Sequence, residues 1–356
     1  MNSAGNFFSN TLLQWNRSQN SRSMPWKGIK DPYKIWLSEV ILQQTRVEQG
    51  WKYYEAFTSK YPTVADLAEA ADEDVFRLWQ GLGYYARCKN MLAAARTIVS
   101  DFGGKFPKTY NEINTLKGIG SYTAAAIASF AYNLPHAVLD GNVYRVLSRY
   151  FGIDTPIDTT AGKKIFNELA QKLLPIDNAS EYNQSIMDFG AVVCKPQQAQ
   201  CSICPLAPNC AAFNTNSVSQ LPIKSKKLQI KKRYFYYFLA LYKNQVIIRK
   251  RPAKDIWENL HDFLLVEADG LTDIQQVTQK TGEFMLQTDF ETVAISPIFK
   301  QQLTHQTIHA QFVQIKCSHQ PTIPPGYQLV PWNALDDFAF PKIILDYLKS
   351  QQLQLL

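Results

Sequence analysis

The chain has 356 residues, 46% of them hydrophobic and 19% charged, with a net charge of +7. That length suits about two globular domains of roughly 100–200 residues each, and the basic balance is compatible with a polyanionic partner without proving one. No apolar run approaches the roughly 18 residues needed to span a bilayer, and Met1 to Asn20 lacks the basic-then-apolar order of a signal peptide, so a cytoplasmic chain that neither enters a membrane nor is secreted is expected.

Residues 1 to about 215 read as nearly all helix. Asp31-Pro32 is a start signal, with Asp as N-cap and Pro at the first helical position, for a helix from Tyr33 to about Gln44. Within it Glu39 is flanked by Leu37, Val40, Ile41 and Leu42. A carboxyl in apolar surroundings can keep its proton near neutrality; the alternative is a solvated helix residue. Thr63 and Asp66 form a capping-box pattern, Asp72 is placed to cap the next short helix, and Gly81 and Gly83 close it. Tyr85 to Phe102 carries Met91, Leu92, Ala95 and Ile98 at helical spacing and ends at Gly103-Gly104. Further helices are expected at about 109–115, 121–131, 142–151, 161–174 and 181–193.

Leu116 to Ala124 contains Gly118 and Gly120, which permit a tight turn and can leave N–H groups uncovered at the start of the next helix. This is either an anion site or an ordinary interhelix turn. A nucleotide-binding loop is disfavoured because no strand precedes it. Asp140 can act as N-cap to the helix that starts near Asn142. Cys194, Cys201, Cys204 and Cys210 give C-x6-C-x2-C-x5-C. In a cytoplasmic chain, four clustered thiols point to metal rather than disulfides. Zinc sites usually show two separated C-x2-C pairs, so one compact loop with unequal spacings favours an iron–sulfur cluster and leaves zinc as the alternative. Cys88 and Cys317 stand alone, as packing residues.

Composition changes after Phe213. A polar stretch and a basic run (Lys224, Lys226, Lys227, Lys231, Lys232, Arg233) read as an exposed linker over 216–232, serving solubility or a phosphate contact. Tyr234 to Tyr242 is β-prone, Lys243-Asn244 suits a turn, and Val246 to Ile248 a returning strand. Phe263 to Val266 and Ile308 to Lys316 are further strand candidates, and Ile343 to Leu348 suits a short helix. The second domain, 233–356, is thus α+β.

Several segments together resemble the adenine DNA glycosylases of the MutY type, within the endonuclease III superfamily. They are Pro25-Trp26-Lys27, Asp31-Pro32-Tyr33, Ile35-Trp36, Ser38-Glu39, Leu42 to Thr45, Gly81 to Arg87, the Gly118/Gly120 hairpin, Val138 to Val146 and the four-cysteine loop. The resemblance implies an all-α helix-hairpin-helix glycosylase domain over 1–215, with a [4Fe-4S] cluster on Cys194, Cys201, Cys204 and Cys210, and a C-terminal Nudix-like α+β domain. It implies a monomeric base-excision enzyme of the cytoplasm, on the bacterial nucleoid. Such an enzyme takes adenine out of double-stranded DNA at A·8-oxoguanine or A·G mispairs and leaves an abasic site.

Carried onto this chain, the family pattern makes Glu39 the general acid at adenine N7. Asp140 stabilises the cationic sugar, with Tyr122 and Asn142 in support. Bifunctional relatives carry lysine where this chain has Tyr122, so water is the expected nucleophile; Lys117 nearby leaves weak lyase activity open. Gln44, with Thr45 beside it, wedges into the duplex. Gly118 and Gly120 hold phosphate, and Lys195 is the cluster loop's candidate for DNA. Lys27 stands where arginine is commoner and is expected on phosphate or base. Leu82 and Tyr84 lie against 8-oxoguanine.

In the second domain Leu303-Thr304-His305 aligns with a Phe-Ser-His loop, making Thr304 and His305 lesion readers, and Ile256 to Phe263 resembles a Gly-Leu-Trp-Glu-Phe-Pro segment. The Nudix metal-binding pattern is missing, so recognition rather than nucleotide hydrolysis is expected there. The rival reading is an endonuclease III-like oxidised-pyrimidine glycosylase and lyase. Tyr122, Gln43-Gln44-Thr45 and the extra domain weigh against it. Glu39 with Asp140 weighs against a purely structural DNA-binding protein.

Overall fold

The computed structural model describes residues 3–225, 230–253, 255–281 and 288–353. The chain divides into two compact units: Met1–Glu69 with Asn90–Lys227, and Ala70–Lys89 with Leu228–Leu356. No described helix is long and apolar enough to cross a membrane.

The first unit is helical. It contains α1 (Ser3–Ser18), α2 (Pro32–Leu42), α3 (Val47–Lys60) and α4 (Val64–Glu69). The segment 70–89 that follows carries α5 (Asp72–Trp79) and the start of α6 (Tyr85–Phe102), and groups with the second unit. The first unit resumes at Asn90 and continues with α7 (Tyr110–Thr115), α8 (Ser121–Tyr132), α9 (Gly141–Phe151), α10 (Thr160–Leu173), α11 (Ala179–Val192) and α12 (Ala211–Asn214). The local signals work as expected at two starts. Asp31 accepts from the Tyr33 N–H at 2.9 Å with Pro32 behind it, and Thr63 and Asp66 bond reciprocally. Asp72 does not cap its helix. Ala71 is the N-cap, and Asp72, Glu73 and Asp74 fill the first turn, where their charge favours the positive end of the helix dipole.

Helix α8 explains how the unit packs. Ala124 to Ala128 are all buried, and the four alanines among them have small side chains that let α2 and α7 approach closely. α2 is apolar nearly all round, with Ile35, Trp36, Leu37, Val40 and Ile41 buried, as suits a central helix. α1 packs on α10 and α11 through Phe8, Leu12 and Trp15, whose ring meets Phe189 edge-on at 5.0 Å.

The linker differs from the expectation. Leu221 is buried, its carbonyl accepts from Arg149 Nε at 3.0 Å, and the Ile157 N–H donates to the Ile223 carbonyl at 3.0 Å. The chain through Ser225 is thus docked on the helical unit, while Lys231, Lys232 and Arg233 open the first strand. Lys226 and Lys227 lie outside the described residues.

Among the described residues, the second unit carries a seven-stranded sheet of β1 (Lys231–Tyr242), β2 (Gln245–Lys250), β3 (His261–Ala268), β4 (Phe290–Ile295), β5 (Phe299–Gln302), β6 (Gln306–Cys317) and β7 (Tyr327–Pro331). The order is β4-β6-β1-β3-β2-β7, with β5 also on β6. β1 and β6 run parallel, and the other pairs are antiparallel. The Lys243-Asn244 turn joins β1 to β2 as expected, with Lys243 at φ 54°. β1 reads as a continuous buried run because both of its faces are covered. Tyr236, Phe238 and Ala240 pack with Val277 of α13 (Ile274–Thr281). On the alternate residues, Tyr237 stacks on Phe312, which stacks on Tyr347 of α14 (Lys342–Leu353) at 4.0 Å. Cys88 and Cys317 are buried packing residues.

One buried ion cluster crosses this sheet. Asp262 on β3 is wholly buried and accepts from Arg249 Nε at 3.0 Å and from Arg251, itself 3% exposed. Asp262→Ala would leave Arg251 with Asp255 as its remaining carboxylate and would take from Arg249 its bond to the buried Asp262. We expect a loss of about 1–3 kcal/mol, measurable in chemical denaturation followed through the aromatic signal of the sheet.

Candidate active site

A cavity of about 730 Å³ in the helical unit is lined by Glu39, Gln43, Gln44, Tyr122, Asp140 and Asn142, among others. Glu39 comes from the third turn of α2. Burial pushes its carboxyl up to about 7; a hydrogen bond from the Tyr122 hydroxyl pulls down, and the nearby Asp140 charge pushes up. The Tyr122 hydroxyl is held well above the usual tyrosine range, by burial first and then by these two carboxyls.

Asp140 caps α9 and accepts from the Val143 N–H at 2.7 Å and from Asn142 Nδ2 at 2.7 Å. Burial raises its carboxyl, while those donors and the Arg145 charge oppose the rise. Asp140 is the expected helix cap and lines the cavity as well.

Behind Asp140 lies a buried scaffold that sequence reading missed. Arg145 donates to Asn142 Oδ1 at 2.8 Å, to the Gly190 carbonyl at 2.6 Å and to the Cys194 carbonyl at 2.7 Å. Arg149, one turn on, donates to the carbonyls of Lys195 at 2.7 Å and Pro196 at 3.1 Å. The signal for this was present: two arginines four apart on a helix with an apolar face.

Lys27 lines the same cavity, but its ammonium is held by Asp188 Oδ2 at 2.9 Å and the Arg22 carbonyl at 2.9 Å, rather than projecting freely for phosphate. Asp188 is wholly buried and also takes Arg22 Nη1 at 2.7 Å. Gln44 is exposed at the end of α2 with φ 59°, a strained left-handed conformation for a residue with a side chain. Thr45 lines the cavity beside it. Gly118 (φ 78°) and Gly120, the N-cap of α8, form the expected turn outside this lining; a Cβ on Gly118 would sit 2.6 Å from the Asn90 Cβ.

The four loop cysteines are half-buried and free of disulfides. Burial raises the thiols of Cys201, Cys204 and Cys210, with Cys204 pushed up to about 11, and the nearness of Cys194 raises each further. Four mutually interacting thiols on one loop are a donor set that fits an iron–sulfur group. Among the described residues, no three His, Cys, Asp or Glu gather around a single-ion position.

In the second unit, a cavity of about 560 Å³ brings together Leu82, Tyr84, Trp257, Leu303, Thr304 and His305. The Tyr84 ring is 46% exposed, with its hydroxyl bonded to the Thr304 hydroxyl and the Arg87 guanidinium 5.3 Å over its face. Leu82 is buried in the wall. Trp257 sits at φ 63° in the loop expected to resemble the Trp-Glu segment; its place in this cavity was not foreseen.

Comparison with known proteins decides the family. Residues 37–175 match the HhH-GPD superfamily base excision DNA repair protein family, and residues 236–350 match the NUDIX domain. The adenine DNA glycosylase of Buchnera aphidicola subsp. Baizongia pistaciae (strain Bp) is 35% identical over 303 residues, covering 85% of this chain and 84% of that protein. The chain belongs to the adenine DNA glycosylase family. The Homo sapiens adenine DNA glycosylase is 40% identical over 224 residues, covering 60% of this chain and 41% of that protein. The structure of a thermostable thymine-DNA glycosylase shares the helical fold with a TM-score of 0.56 at 29% identity, over 60% of this chain and 98% of that chain. The two family matches fall on the helical and α+β parts expected from the sequence.

The buried scaffold sets where Asp140 stands, through Asn142. A Cβ on Gly190 would lie 2.6 Å from the Asn142 Cβ and 3.0 Å from its carbonyl oxygen. Gly190→Ala must therefore push α9 and α11 apart at Asn142. We expect a loss of about 1–3 kcal/mol in thermal unfolding, together with slowed turnover; an unchanged melting temperature would contradict this packing.

Proposed function

We propose that this chain excises adenine from duplex DNA where it faces 8-oxoguanine, or guanine, leaving an abasic site. The observation that carries the reading is Glu39, held protonated near neutrality in the cavity that Asp140 also faces. Excision needs the base out of the stack, because adenine N7 must meet an acid. The exposed Gln44 at the cavity edge suits a wedge that keeps the base extruded.

Glu39 gives its proton to N7, the glycosidic electron pair leaves with the base, and the sugar becomes an oxocarbenium ion. Ionised Asp140, aimed by Asn142 and the Val143 N–H, stabilises that cation. Water adds at C1′ and its proton returns to Glu39. Tyr122 offers no amine for a Schiff base, and its raised hydroxyl keeps its proton and donates a hydrogen bond to Glu39. This supports a monofunctional hydrolase acting on N-glycosyl bonds. Tyr84, Thr304 and His305 in the second unit supply an aromatic face and polar groups suited to an oxidised purine. A [4Fe-4S] cluster on the four cysteines would give the loop a rigid, redox-capable core, while Arg145 and Arg149 hold its backbone.

The deciding experiment is single-turnover excision on A·8-oxoguanine, A·G and thymine-glycol duplexes. Glu39→Gln should lower adenine excision by about 10²–10⁴-fold while keeping A·8-oxoguanine binding. Wild-type turnover by that variant would remove Glu39 as the acid, and thymine-glycol cleavage with a borohydride-trapped adduct would point to a lyase instead.

The pH dependence has a definite sign. The folded carboxyl is raised above its unfolded value, so the protonated, active form is lost as pH rises through about 7. The excision rate should fall over that range. By the same linkage the charged carboxylate costs stability at higher pH, so Glu39→Gln should melt no lower than wild type at pH about 8.

A further inference from the structure

Strands β5 and β6 of the second unit form a hairpin in register Gln302↔Thr307, with Leu303-Thr304-His305 as its tip. The tip is tied by the Leu303 N–H to the Gln306 carbonyl at 2.8 Å and by the Lys231 N–H to the His305 carbonyl at 2.9 Å. Gln302 ties it from the side-chain direction. Its Nε2 donates to the Leu303 carbonyl at 2.8 Å and reaches the Gln306 carbonyl at 3.5 Å, and its Oε1 accepts from the Thr307 hydroxyl at 2.6 Å. Two carbonyls demand the NH₂ end, so the amide has one orientation, and the Thr307 hydroxyl must then donate. Thr307 is 5% exposed, a fixed post for this bond. Next along the strand, Gln301 Oε1 accepts from the Ile343 N–H at 3.2 Å, in the first turn of α14. Thr304, next to the bonded Leu303 carbonyl, meets the Tyr84 hydroxyl across the cavity.

We propose that Gln302 is a positioning residue for 8-oxoguanine discrimination: it sets the tip so that Thr304 and Tyr84 meet the lesion in one geometry. The inference rests on reading this cavity as the lesion site. Gln302 is solvent-exposed and its bonds all stay within the hairpin. Its loss therefore frees the tip without opening the core.

The test measures binding and single-turnover excision by the full-length protein on A·8-oxoguanine and A·G duplexes. The variants are Gln302→Ala, Gln302→Glu, which keeps the acceptor for Thr307 but not the donor, and Thr307→Val, which keeps the volume and removes the hydroxyl. Gln302→Ala should lower the preference for 8-oxoguanine over guanine by about three- to tenfold, the scale of one or two hydrogen bonds. Excision at saturating enzyme should stay at the wild-type rate, Gln302→Glu should fall with alanine, and Thr307→Val should show a smaller loss in the same direction. The Gln302→Ala/Thr307→Val double variant should discriminate no worse than Gln302→Ala alone, because both act through one bond.

A wild-type preference ratio in both Gln302→Ala and Thr307→Val would overturn the inference. Thr304→Ala separates this from failure of the underlying reading. If Thr304→Ala keeps the full preference, the cavity does not read the lesion. If it loses preference and the Gln302 and Thr307 variants do not, only the positioning role falls.

Discussion

Two buried carboxyl groups face one cavity, and poorly solvated surroundings do not hold both negative charges cheaply. Everything around the cavity can be read as deciding which of the two keeps a proton. Burial raises both Glu39 and Asp140. Asp140 receives a helix N-terminal N–H, an asparagine amide and the nearby Arg145 charge, all of which favour its ionised form. Glu39 sits mid-helix, where the backbone N–H groups are already bonded, and has the Tyr122 hydroxyl for its partner. The proposed division into acid and anion would follow from where each carboxyl stands on its helix.

The first consequence of that constraint is mechanical. The Asn142 amide that bonds Asp140 is itself held, because Arg145 fixes Asn142 by bonding α11 and the backbone at Cys194 as well. The cysteine loop is thus part of the support of the cavity, whatever electron chemistry its sulfurs carry. Gly190 belongs to the same support, because only a hydrogen fits where α9 and α11 meet at Asn142.

The sequence was readable where one short segment contains both the signal and its consequence. The Asp31-Pro32 start, the Thr63/Asp66 box, the Lys243-Asn244 turn and the Asp140 cap are all of this kind. Asp72 misled because three acids in a row compete for the cap, and the helix begins one residue before the expected place. The short, exposed strands β4, β5 and β7 carry too little apolar alternation to stand out, and α1 and α3 lie in the stretch expected to be helical without sharp boundaries. The linker looked free because its anchors are tertiary: Leu221 and Ile223 bond to residues of α9 and the α9–α10 loop. Lys27 likewise meets Asp188 from far along the chain, which no local pattern reveals. For the site, Glu39 and Asp140 gained meaning from a family resemblance, while Arg145, Asp188 and Gln302 needed coordinates.

The second unit is discontinuous: Ala70–Lys89 belongs with a sheet whose strands begin at Lys231. Chains are made from the N-terminus, so Leu82 and Tyr84 leave the ribosome well before Thr304 and His305. The sheet also waits for β6, since the parallel pairing with β1 spans a long loop that is slow to close. The helical unit has all of its residues by Lys227 and can gather its core while the rest is still being synthesised. During its birth the protein therefore passes through a stage in which the cavity lined by Glu39 and Asp140 can form and the one lined by Tyr84 and Thr304 cannot.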